Sequence, residues 1–342
     1  MTRVLRVGLA GFGNVGRAFT RMLMERSRRL QELYGFEPQL VFIADSRGFL
    51  GSATGLPWNT VEKALAAPRG GVSRLEGGVQ GNVSEAIERF SIDVLVDVTP
   101  SRYDSPGEAL SWYERVLSSG GAVVAADKAP LATSCGRLLW GSWGRRIFYK
   151  ATVMAGTPLI DVLRWGLAGR VVARVQGILN GTTNYVLGLA EQGMSFEEAV
   201  RDAQNKGYAE PDPSADLEGF DLAAKAAIVS CTLGVPKTVF EVERLDRVDE
   251  DAFRRAAEAA ARGRRLKYVA LVEPGAGRAV VKLVEVGPEN PLYRVDGINN
   301  AVFIETAEAE PITLVGPGAG LSATASALLS DLVSSAYSLG VV

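Results

Sequence analysis

The feature that most constrains the fold is a glycine-rich turn between a predicted strand and a predicted helix at the N-terminus. Residues 3–9 are rich in β-branched and apolar residues, as in a strand, and residues 14–34 carry apolar side chains at helical spacing. The turn between them reads G-x-G-x-x-G. Its first glycine allows a tight turn, its second lets the backbone approach a pyrophosphate, and its third permits close helix–strand packing. We therefore predict cofactor contacts from the turn residues Gly11, Phe12, Gly13, Asn14, Val15 and Gly16.

Strands and helices continue to alternate beyond this turn. The predicted segments are strands at 40–44, 92–98 and 121–126, and helices at 83–90 and 107–119. This alternation is typical of α/β domains with a doubly wound parallel sheet, in which ligands bind at the carboxyl ends of the strands. Residues 48–80 are rich in glycine, proline and serine, and we expect them to form a long excursion around one short helix.

The pattern changes near residue 146, where a predicted strand at 147–152 and a predicted helix at 157–166 are followed by strands and helices that mix without regular alternation. This mixture predicts an α+β second domain that binds the substrate. A glycine turn and a helix of small residues close the chain, and we expect them to return to the first domain. Residues 1–135 with 316–342 are therefore assigned to a Rossmann-type NAD(P)-binding domain, and residues 136–315 to substrate binding.

The composition excludes several classes of function. The chain has 342 residues, no histidine and two cysteines, which excludes a Ser-His-Asp triad, a Cys-His pair and a histidine-ligated zinc. Its 37 basic and 39 acidic residues give no basic field for nucleic acid. No run of about 18 apolar residues predicts a membrane span. Few cysteines, and an N-terminus that leads directly into the first strand without a signal peptide, favour the cytoplasm.

The end of the second strand bears on the choice between NAD and NADP. Asp45 is placed to accept a hydrogen bond from a ribose 2′-hydroxyl, which favours NAD, whereas Arg47 is placed to meet a 2′-phosphate, which favours NADP. The alternative is a turn aspartate and a solvated arginine. We assign Asp45, Ser46 and Arg47 to the cofactor site and favour NADP over NAD.

Two further groups follow the ends of predicted strands. Thr99-Pro100-Ser101 follows strand 92–98, and Lys128 follows strand 121–126. Because ligands bind at the carboxyl ends of such strands, we expect both groups near the reacting part of the cofactor. A surface turn lysine is the alternative for Lys128.

A segment dense in acidic residues begins near residue 206 and leads into a helix. Pro211 and Pro213 hold Glu210 and Asp212 in extended geometry, which suits fixed carboxylates, although a solvated acidic turn is the alternative.

The helix after this segment, residues 219–234, carries only two charged side chains, Asp221 and Lys225, on one face. The rest is apolar or small, so the helix should be buried, and a charged pair at its edge is costly to desolvate. Burial favours the neutral amine of a lysine, which suits proton transfer. In a chain without histidine, Lys225 is the best candidate for general acid and base.

A polar segment, Asn180-Gly-Thr-Thr-Asn-Tyr185, separates the apolar strand 171–179 from the next helix. Its threonines suit a helix N-cap. The alternative is a polar pocket wall for a small zwitterion.

Three segments together resemble the homoserine dehydrogenase family over essentially the whole chain. They are Ile178-Leu-Asn-Gly-Thr-Thr-Asn-Tyr185, Gly207-Tyr-Ala-Glu-Pro-Asp-Pro213 with Asp216-Leu-Glu-Gly-Phe-Asp-Leu-Ala-Ala-Lys225, and Gly316-Pro-Gly-Ala-Gly320. The second is specific in residue type and spacing. The resemblance implies an NAD(P)-dependent oxidoreductase that interconverts L-homoserine and L-aspartate 4-semialdehyde in threonine and methionine biosynthesis. It also implies a homodimer formed through an extended sheet of the substrate domains.

The resemblance implies roles for individual residues. Lys225 matches the proton donor and acceptor at the substrate hydroxyl, and Lys128 matches a second lysine that orients the substrate and assists proton transfer. Thr99 and Gly320 match cofactor contacts. The remaining matched positions bind the substrate: Glu210, Asp221, Asp216, Tyr208, Gly181 and Thr182.

Lys150 is a departure from the family pattern. Many relatives carry a glutamate there that helps to bind a monovalent cation. A lysine cannot ligate a cation, but its ammonium can take the same charge position. We therefore expect no metal and predict that Lys150 supplies the positive charge internally. A solvated surface lysine is the alternative.

Two other functions fit part of the pattern. Aspartate-semialdehyde dehydrogenase also joins a Rossmann domain to an α+β domain, but it uses a cysteine thiolate with histidine help, and this chain has no histidine. A non-catalytic NAD(P)-sensing module would account for the glycine turn. It would not account for Lys128, Lys225 and the acidic residues of the segment after residue 206.

Overall fold

Residues 3–342 are described by a computed structural model, which contains two compact units. The first unit comprises the residues up to 152 together with 320–342, and the second comprises 153–319. Each unit has its own sheet and its own buried core.

These divisions lie later in the chain than the predicted ones at 135/136 and 315/316. Strand Ile147–Phe148 pairs with the sheet of the first unit, so the chain has not yet left that unit. Strand Ile312–Pro317 pairs within the sheet of the second unit, which therefore keeps Gly316.

The strands of the first unit are, in chain order, β1 (Arg3–Ala10), β2 (Phe36–Asp45), β3 (Gly48–Gly51), β4 (Gly78–Gln80), β5 (Val94–Asp97), β6 (Ala122–Ala125) and β7 (Ile147–Phe148). They form one sheet in the order β4-β3-β2-β1-β5-β6-β7. The five strands from β2 to β7 in this order are parallel, which confirms the predicted doubly wound sheet.

The prediction for residues 48–80 was wrong in one respect, because β3 and β4 add two antiparallel strands to the edge of the sheet. Their glycines, Gly48, Gly51 and Gly78, break the run of β-branched residues by which strands are recognised in a sequence.

The helices of the first unit that precede residue 152 cover the sheet. They are α1 (Asn14–Tyr34), α2 (Trp58–Ala66), α3 (Val83–Arg89), α4 (Gly107–Ser118) and α5 (Ala129–Leu139). Phe19 and Leu23 of α1 are fully buried in one core with Leu5, Val7 and Leu9 of β1. Burial of each such side chain stabilises the fold by about 1.5–3 kcal/mol. Helix α5 was not predicted, and it begins directly after Lys128.

The second unit contains a largely antiparallel sheet. Its strands are β8 (Val172–Ile178), β9 (Glu243–Arg244), β10 (Arg265–Glu273), β11 (Arg278–Val286), β12 (Asn299–Thr306) and β13 (Ile312–Pro317), in the order β13-β12-β8-β10-β11-β9. Its helices are α6 (Leu159–Asp161), α7 (Gly181–Ala190), α8 (Phe196–Asn205), α9 (Ser214–Leu217), α10 (Phe220–Thr232) and α11 (Glu250–Ala261). Helices α7, α10 and α11 pack against β10. The predicted α+β organisation is confirmed.

Two predicted elements between residues 147 and 166 are shorter or less regular than predicted. The predicted strand 147–152 ends at Phe148, because the Lys150 N–H donates to the Asp331 carboxylate (2.9 Å) instead of to a neighbouring strand. The predicted helix 157–166 is the short α6 followed by a π-helical turn at Val162–Gly166. Such turns are rare and leave little trace in a periodicity pattern.

The C-terminal helix α12 (Leu321–Ser338) returns to the first unit and packs against α1 and β6, as predicted. The Lys150 ammonium lies 2.9 Å from the Ser330 hydroxyl and 3.5 Å from Asp331 Oδ1, and both charged side chains are buried. This buried ion pair ties α12 to the end of β7. Within residues 3–342, no helix is both long and apolar enough to cross a membrane.

A buried lysine joins three elements of the second unit. Lys267 on β10 is 2% exposed, and its ammonium donates to Asn184 Oδ1 (3.0 Å) and to the Val295 carbonyl (2.7 Å). Burial, helped by the nearby Arg265 cation, lowers the pKa of Lys267 to about 8. Between this value and the ordinary lysine pKa, the unfolded chain binds a proton that the folded chain does not.

We predict that Lys267→Met destabilises the second unit by about 1–3 kcal/mol, because the Asn184 and Val295 oxygens lose a donor. Folding of the wild type releases a proton above pH 8. The free energy of unfolding of the wild type should therefore increase relative to that of the variant as pH rises from 8 to 10. Chemical denaturation at several pH values measures both effects. Lys63→Met, on the exposed side of α2, is the control. A stability difference independent of pH would contradict the assignment.

Candidate functional site

The glycine turn after β1 leaves an open anion site at the start of α1. Gly11 has a φ of 95°, and a Cβ on Gly11 would lie 2.8 Å from the Val98 carbonyl. A Cβ on Gly16 would lie 2.2 Å from the Gly11 oxygen, so both positions require glycine. A Cβ on Gly13 would meet nothing within 4 Å, and no side chain caps this helix end. Exposed backbone N–H groups and the helix dipole favour an anion there, so the turn fits a dinucleotide pyrophosphate.

The side chains of the other turn residues pack against the first unit or accept hydrogen bonds from it. Phe12 is 3% exposed and lies under the Arg17 guanidinium, 4.7 Å from its ring centre. Val15 is half-buried against the core of the unit. Asn14 Oδ1 accepts a hydrogen bond from Arg69 (2.7 Å). These side chains hold the turn, so we expect its backbone to contact the phosphates.

The Asp45 carboxylate at the end of β2 accepts hydrogen bonds from the backbone of the segments that follow it. Its Oδ1 accepts from the Arg47 N–H (2.9 Å), and its Oδ2 accepts from the Val72 N–H (3.0 Å). Ser46 and Arg47 beside it are exposed. Hydrogen bonds to both oxygens reduce the capacity of Asp45 to accept from a ribose hydroxyl.

Arginines gather around the loop after β2. The Arg17 guanidinium donates to the carbonyls of Leu65 (2.7 Å) and Ala67 (2.8 Å). Burial and the nearby cations of Arg21 and Arg69 lower the pKa of Arg17. The Arg47 side chain runs against Gly70, where a Cβ would lie 3.1 Å from it. The loop after β2 and the segment after α2 therefore bring several positive charges beside the glycine turn.

The groups that follow β5 and β6 form two hydrogen-bonded sets, one around Asp97 and one around Asp127, whose charges interact. The Thr99 hydroxyl and N–H donate to Asp97 Oδ1 at 2.7 and 2.9 Å. The Lys128 N–H donates to the Ser101 hydroxyl (2.9 Å), and the Ala129 N–H donates to Asp127 Oδ1 (2.9 Å). The Thr99 hydroxyl, predicted as a cofactor contact, donates to Asp97, while Pro100 between the two hydroxyl residues is exposed.

The two carboxylates of these sets were not predicted. Asp97 is fully buried and Asp127 is 3% exposed. The sequence feature that could have identified Asp127 is its position directly before Lys128. For Asp97 it is the position at the end of an apolar strand. A sequence pattern does not show that both side chains turn inward.

In the second unit, Asn180 brings two acids together. It follows β8 and caps α7, since its Oδ1 accepts from the Thr183 N–H (2.9 Å). Its Nδ2 donates to Asp216 Oδ1 (2.6 Å) and to Asp221 Oδ2 (3.1 Å). Burial, and next the Asp221 charge, raise the pKa of Asp216. The predicted helix cap lies in this segment, but the capping residue is Asn180 and not one of the threonines, because the Asn180 side chain accepts the Thr183 N–H. The pocket wall stays a prediction.

Lys225 lies in the same cluster. Its ammonium is 2.7 Å from Asp221 Oδ2 and donates to the Leu179 carbonyl at 2.6 Å. The side chain of Lys225 is 12% exposed and that of Asp221 is 20% exposed, as a pair at the edge of a buried helix should be. These two contacts fix the amine and leave a third N–H direction for a ligand.

The remaining predicted substrate residues are near this cluster or on its exposed side. The Thr182 hydroxyl donates to the Tyr208 carbonyl (2.7 Å), and a Cβ on Gly181 would lie 2.6 Å from the Ile298 oxygen. Tyr208 is 38% exposed. Glu210 is exposed, and its carbonyl rather than its carboxylate meets Gln204. The structure therefore joins Asp216, Asp221 and Lys225 but not the Glu210 carboxylate.

The structure also gives the place of the two remaining predicted positions. Gly320, with a φ of 122°, begins the return of the chain to the first unit at the start of α12. Lys150 contacts Asp331 as described above, and its proposed replacement of a cation stays a prediction. Among residues 3–342, no group of three or more acidic or thiol side chains is arranged to hold a metal.

A cavity of about 600 Å³ opens in the second unit at the C-terminal end of α10. Its lining includes Arg164, Arg170, Val172 and Val235. Lys225 lies in the middle of α10 and does not line this cavity.

Comparison with known proteins identifies relatives across the whole chain. The family model "Homoserine dehydrogenase" matches residues 158–333. A homoserine dehydrogenase of Sulfurisphaera tokodaii is 34% identical over 333 residues, covering 96% of this chain and 98% of that protein. An NAD(+)-dependent homoserine dehydrogenase of Pseudomonas canavaninivorans is 33% identical over 337 residues, covering 96% of this chain and 95% of that protein.

Solved structures agree. A hyperthermophilic archaeal homoserine dehydrogenase in complex with NADPH superposes with a TM-score of 0.81 at 29% identity, covering 98% of both chains. Homoserine dehydrogenase from Thermoplasma acidophilum superposes with a TM-score of 0.76 at 28% identity, covering 96% of this chain and 98% of that one.

Proposed function

The chain belongs to the homoserine dehydrogenase family, and we propose that Lys225 is the group through which it exchanges a proton with its substrate. It is an NAD(P)-dependent oxidoreductase that interconverts L-homoserine and L-aspartate 4-semialdehyde, in threonine and methionine biosynthesis. The observation that carries the role of Lys225 is the fixed, nearly buried amine between Asp221 and the Leu179 carbonyl.

The proposed proton transfer follows from the surroundings of this amine. Oxidation of homoserine removes a proton from its hydroxyl, and the reverse reaction returns one to the aldehyde oxygen. The neutral amine of Lys225 accepts the proton in the first direction, and its ammonium donates it in the second. The Asp221 carboxylate balances the charge of the ammonium that forms.

The other polar groups of the second unit are proposed to bind the substrate. The cluster of Asp216 and Asp221 is proposed to supply negative charge for the substrate ammonium, and the exposed Glu210 is proposed as a further acid that contacts the substrate. In the first unit, Lys128 is proposed to orient the substrate and to assist proton transfer. The glycine turn is proposed to hold the cofactor, which supplies the hydride acceptor or donor when bound.

We predict that Lys225→Met lowers kcat for homoserine oxidation by about 10²–10⁴-fold, because general acid–base catalysis contributes this much. Lys225→Arg should not restore it, since arginine stays protonated. Absorbance of the reduced nicotinamide, with homoserine and either NAD or NADP, measures turnover. Lys206→Met, an ammonium paired with Asp202 at the surface, should leave kcat unchanged.

Two results would contradict this assignment. If the wild type produces no reduced nicotinamide with either cofactor, the activity is wrong. If Lys225→Met keeps full turnover, the activity stands and another group moves the proton. Cofactor binding by the Lys225→Met variant, followed by nicotinamide fluorescence, should be retained in both cases because Lys225 lies outside the first unit.

We propose NADP as the preferred cofactor. Support comes from the arginines that surround the loop after β2 and from the Asp45 carboxylate, whose two oxygens already accept backbone hydrogen bonds. Arg69 contacts Asn14 of the glycine turn, and Arg47 lies against Gly70, next to Arg69 in the chain. A 2′-phosphate would meet this positive charge, whereas the 2′-hydroxyl of NAD would share the Asp45 oxygens with the Arg47 and Val72 N–H groups.

We predict that the double substitution Arg47→Ala and Arg69→Ala raises the KM for NADP by about 10–100-fold and changes the KM for NAD little. The loss corresponds to hydrogen bonds with a charged partner, about 1.5–3 kcal/mol. Arg28→Ala, an exposed change on α1, is the control. An unchanged KM for NADP would refute the preference without affecting the dehydrogenase assignment.

We also propose a homodimer that forms through β13. This strand lies at the edge of its sheet and pairs with β12. Its Val315 side chain is 58% exposed, although long apolar edge strands are usually covered. A second copy pairing along this edge would extend the sheet.

We predict a dimer in sedimentation velocity at micromolar concentration, weakened by Val315→Lys because the charge would be desolvated in the interface. Leu33→Lys, at a side chain of the first unit that is 58% exposed, should have no effect. A wild type that stays monomeric up to about 100 times that concentration would rule out this interface.

A further inference from the structure

Two carboxyl groups of the first unit are buried close enough for their charges to interact. Asp97 ends β5, and Asp127 follows β6 by two residues. These strands are neighbours in register, with Asp97 opposite Ala125, so both side chains lie at the same edge of the sheet. Asp97 is fully buried and Asp127 is 3% exposed. The roles proposed above use neither of them.

The surroundings favour ionisation of Asp97 over that of Asp127. Asp97 accepts hydrogen bonds from the Thr99 hydroxyl (2.7 Å), the Thr99 N–H (2.9 Å) and the Tyr113 hydroxyl (2.9 Å). Asp127 accepts from the Ala129 N–H (2.9 Å) and is also stabilised by the Ser101 hydroxyl. Two buried like charges do not both ionise freely, so the better-bonded Asp97 ionises first.

Asp127 then becomes the group that titrates near neutral pH. Burial, and next the Asp97 charge, raise its pKa to about 7, against the opposing effects of Ser101, the Ala129 N–H and the Lys128 ammonium. Tyr113 keeps its proton, since burial raises its pKa well above the ordinary value. The titratable groups that face Asp127 in the first unit are thus Asp97 from β5, Tyr113 from α4 and Lys128 at the start of α5.

The Ser101 hydroxyl connects this carboxyl to Lys128. The Ser101 oxygen accepts a hydrogen bond from the backbone N–H of Lys128 at 2.9 Å. The hydroxyl hydrogen of Ser101 then points towards Asp127. When Asp127 is ionised, the hydroxyl has an anionic acceptor and the Lys128 ammonium has a neighbouring counter-charge. When Asp127 is protonated, both contacts weaken.

We propose that Asp127 is a positioning residue that orders Lys128 through Ser101 when ionised and releases this order when protonated. This inference rests on the proposed role of Lys128 in orienting the substrate. Substrate binding should therefore tighten as pH rises through the range in which Asp127 ionises, with a smaller effect on kcat.

The decisive variant is Asp127→Asn, which keeps the acceptor for the Ala129 N–H and removes the titration. We predict that its KM for homoserine equals that of the wild type at pH 6 and is about tenfold higher at pH 8.5, where the wild type has the ionised carboxylate. The tenfold figure corresponds to one hydrogen bond to a charged group. The step in the wild-type pH profile of KM near pH 7 should be absent from the variant.

Two further variants separate this role from simple support of the fold. Ser101→Ala should abolish the step in KM, because it removes the hydroxyl through which Asp127 acts, while the pH dependence of stability that Asp127 causes should move to higher pH, because the hydroxyl stabilises the ionised carboxylate. Asp93→Asn, at the opposite end of the β5 region where it accepts the Arg6 N–H, should leave the step in place. If Asp127→Asn keeps the wild-type step, or if its KM ratio to the wild type does not depend on pH, the proposal is wrong.

A stability measurement tests the titration without using activity. Because folding raises the pKa of Asp127 from 3.8 to about 7, the folded wild type binds a proton in that range which the unfolded chain has lost. Wild-type stability should fall relative to Asp127→Asn between pH 4 and pH 7. If the stability difference between the wild type and Asp127→Asn does not depend on pH, the proposal is wrong, whether or not the enzyme oxidises homoserine. If this difference depends on pH but the enzyme shows no turnover, only the proposed function is wrong.

Discussion

Charged side chains removed from water, and the hydrogen bonds that compensate for that removal, determine how both units of this dehydrogenase are built. In the second unit, Asn180 donates to Asp216 and Asp221 and so holds two carboxylates close together. The Lys225 amine lies 2.7 Å from the Asp221 carboxylate. Without these contacts the desolvation of each charge would cost several kcal/mol. The cluster is therefore stable only as a set, which fixes the amine proposed to move the proton.

The absence of histidine gives burial a second consequence. No side chain in this chain has an ordinary pKa near neutrality, yet burial moves the pKa of some groups towards that range in the folded state. Burial raises the pKa of Asp127 to about 7 and lowers that of Lys267 to about 8. The same desolvation acts in opposite directions because the charged form is an anion in one case and a cation in the other. A fold of this kind obtains its pH sensitivity from packing.

Sequence patterns were most informative where a local geometric requirement selects the residue. Gly11 and Gly16 have no room for a Cβ, and the four-residue spacing of Asp221 and Lys225 places both on one face of α10. Patterns failed where distant contacts decide. Strands β3 and β4 form because an existing edge pairs with short glycine-containing segments, and the strand predicted after Phe148 ends because Asp331 takes the Lys150 N–H.

The sequence by itself determined the fold class, the family, the cofactor turn and the type of group available for proton transfer, since each depends on residue identity and short-range spacing. The tertiary structure decided which of the acids contacts Lys225. It also decided that the Asp45 oxygens accept hydrogen bonds from the Arg47 and Val72 N–H groups, and that Asp97 and Asp127 are both buried. These relations join residues tens of positions apart. Their energies depend on burial and distance, and neither quantity is encoded in local periodicity.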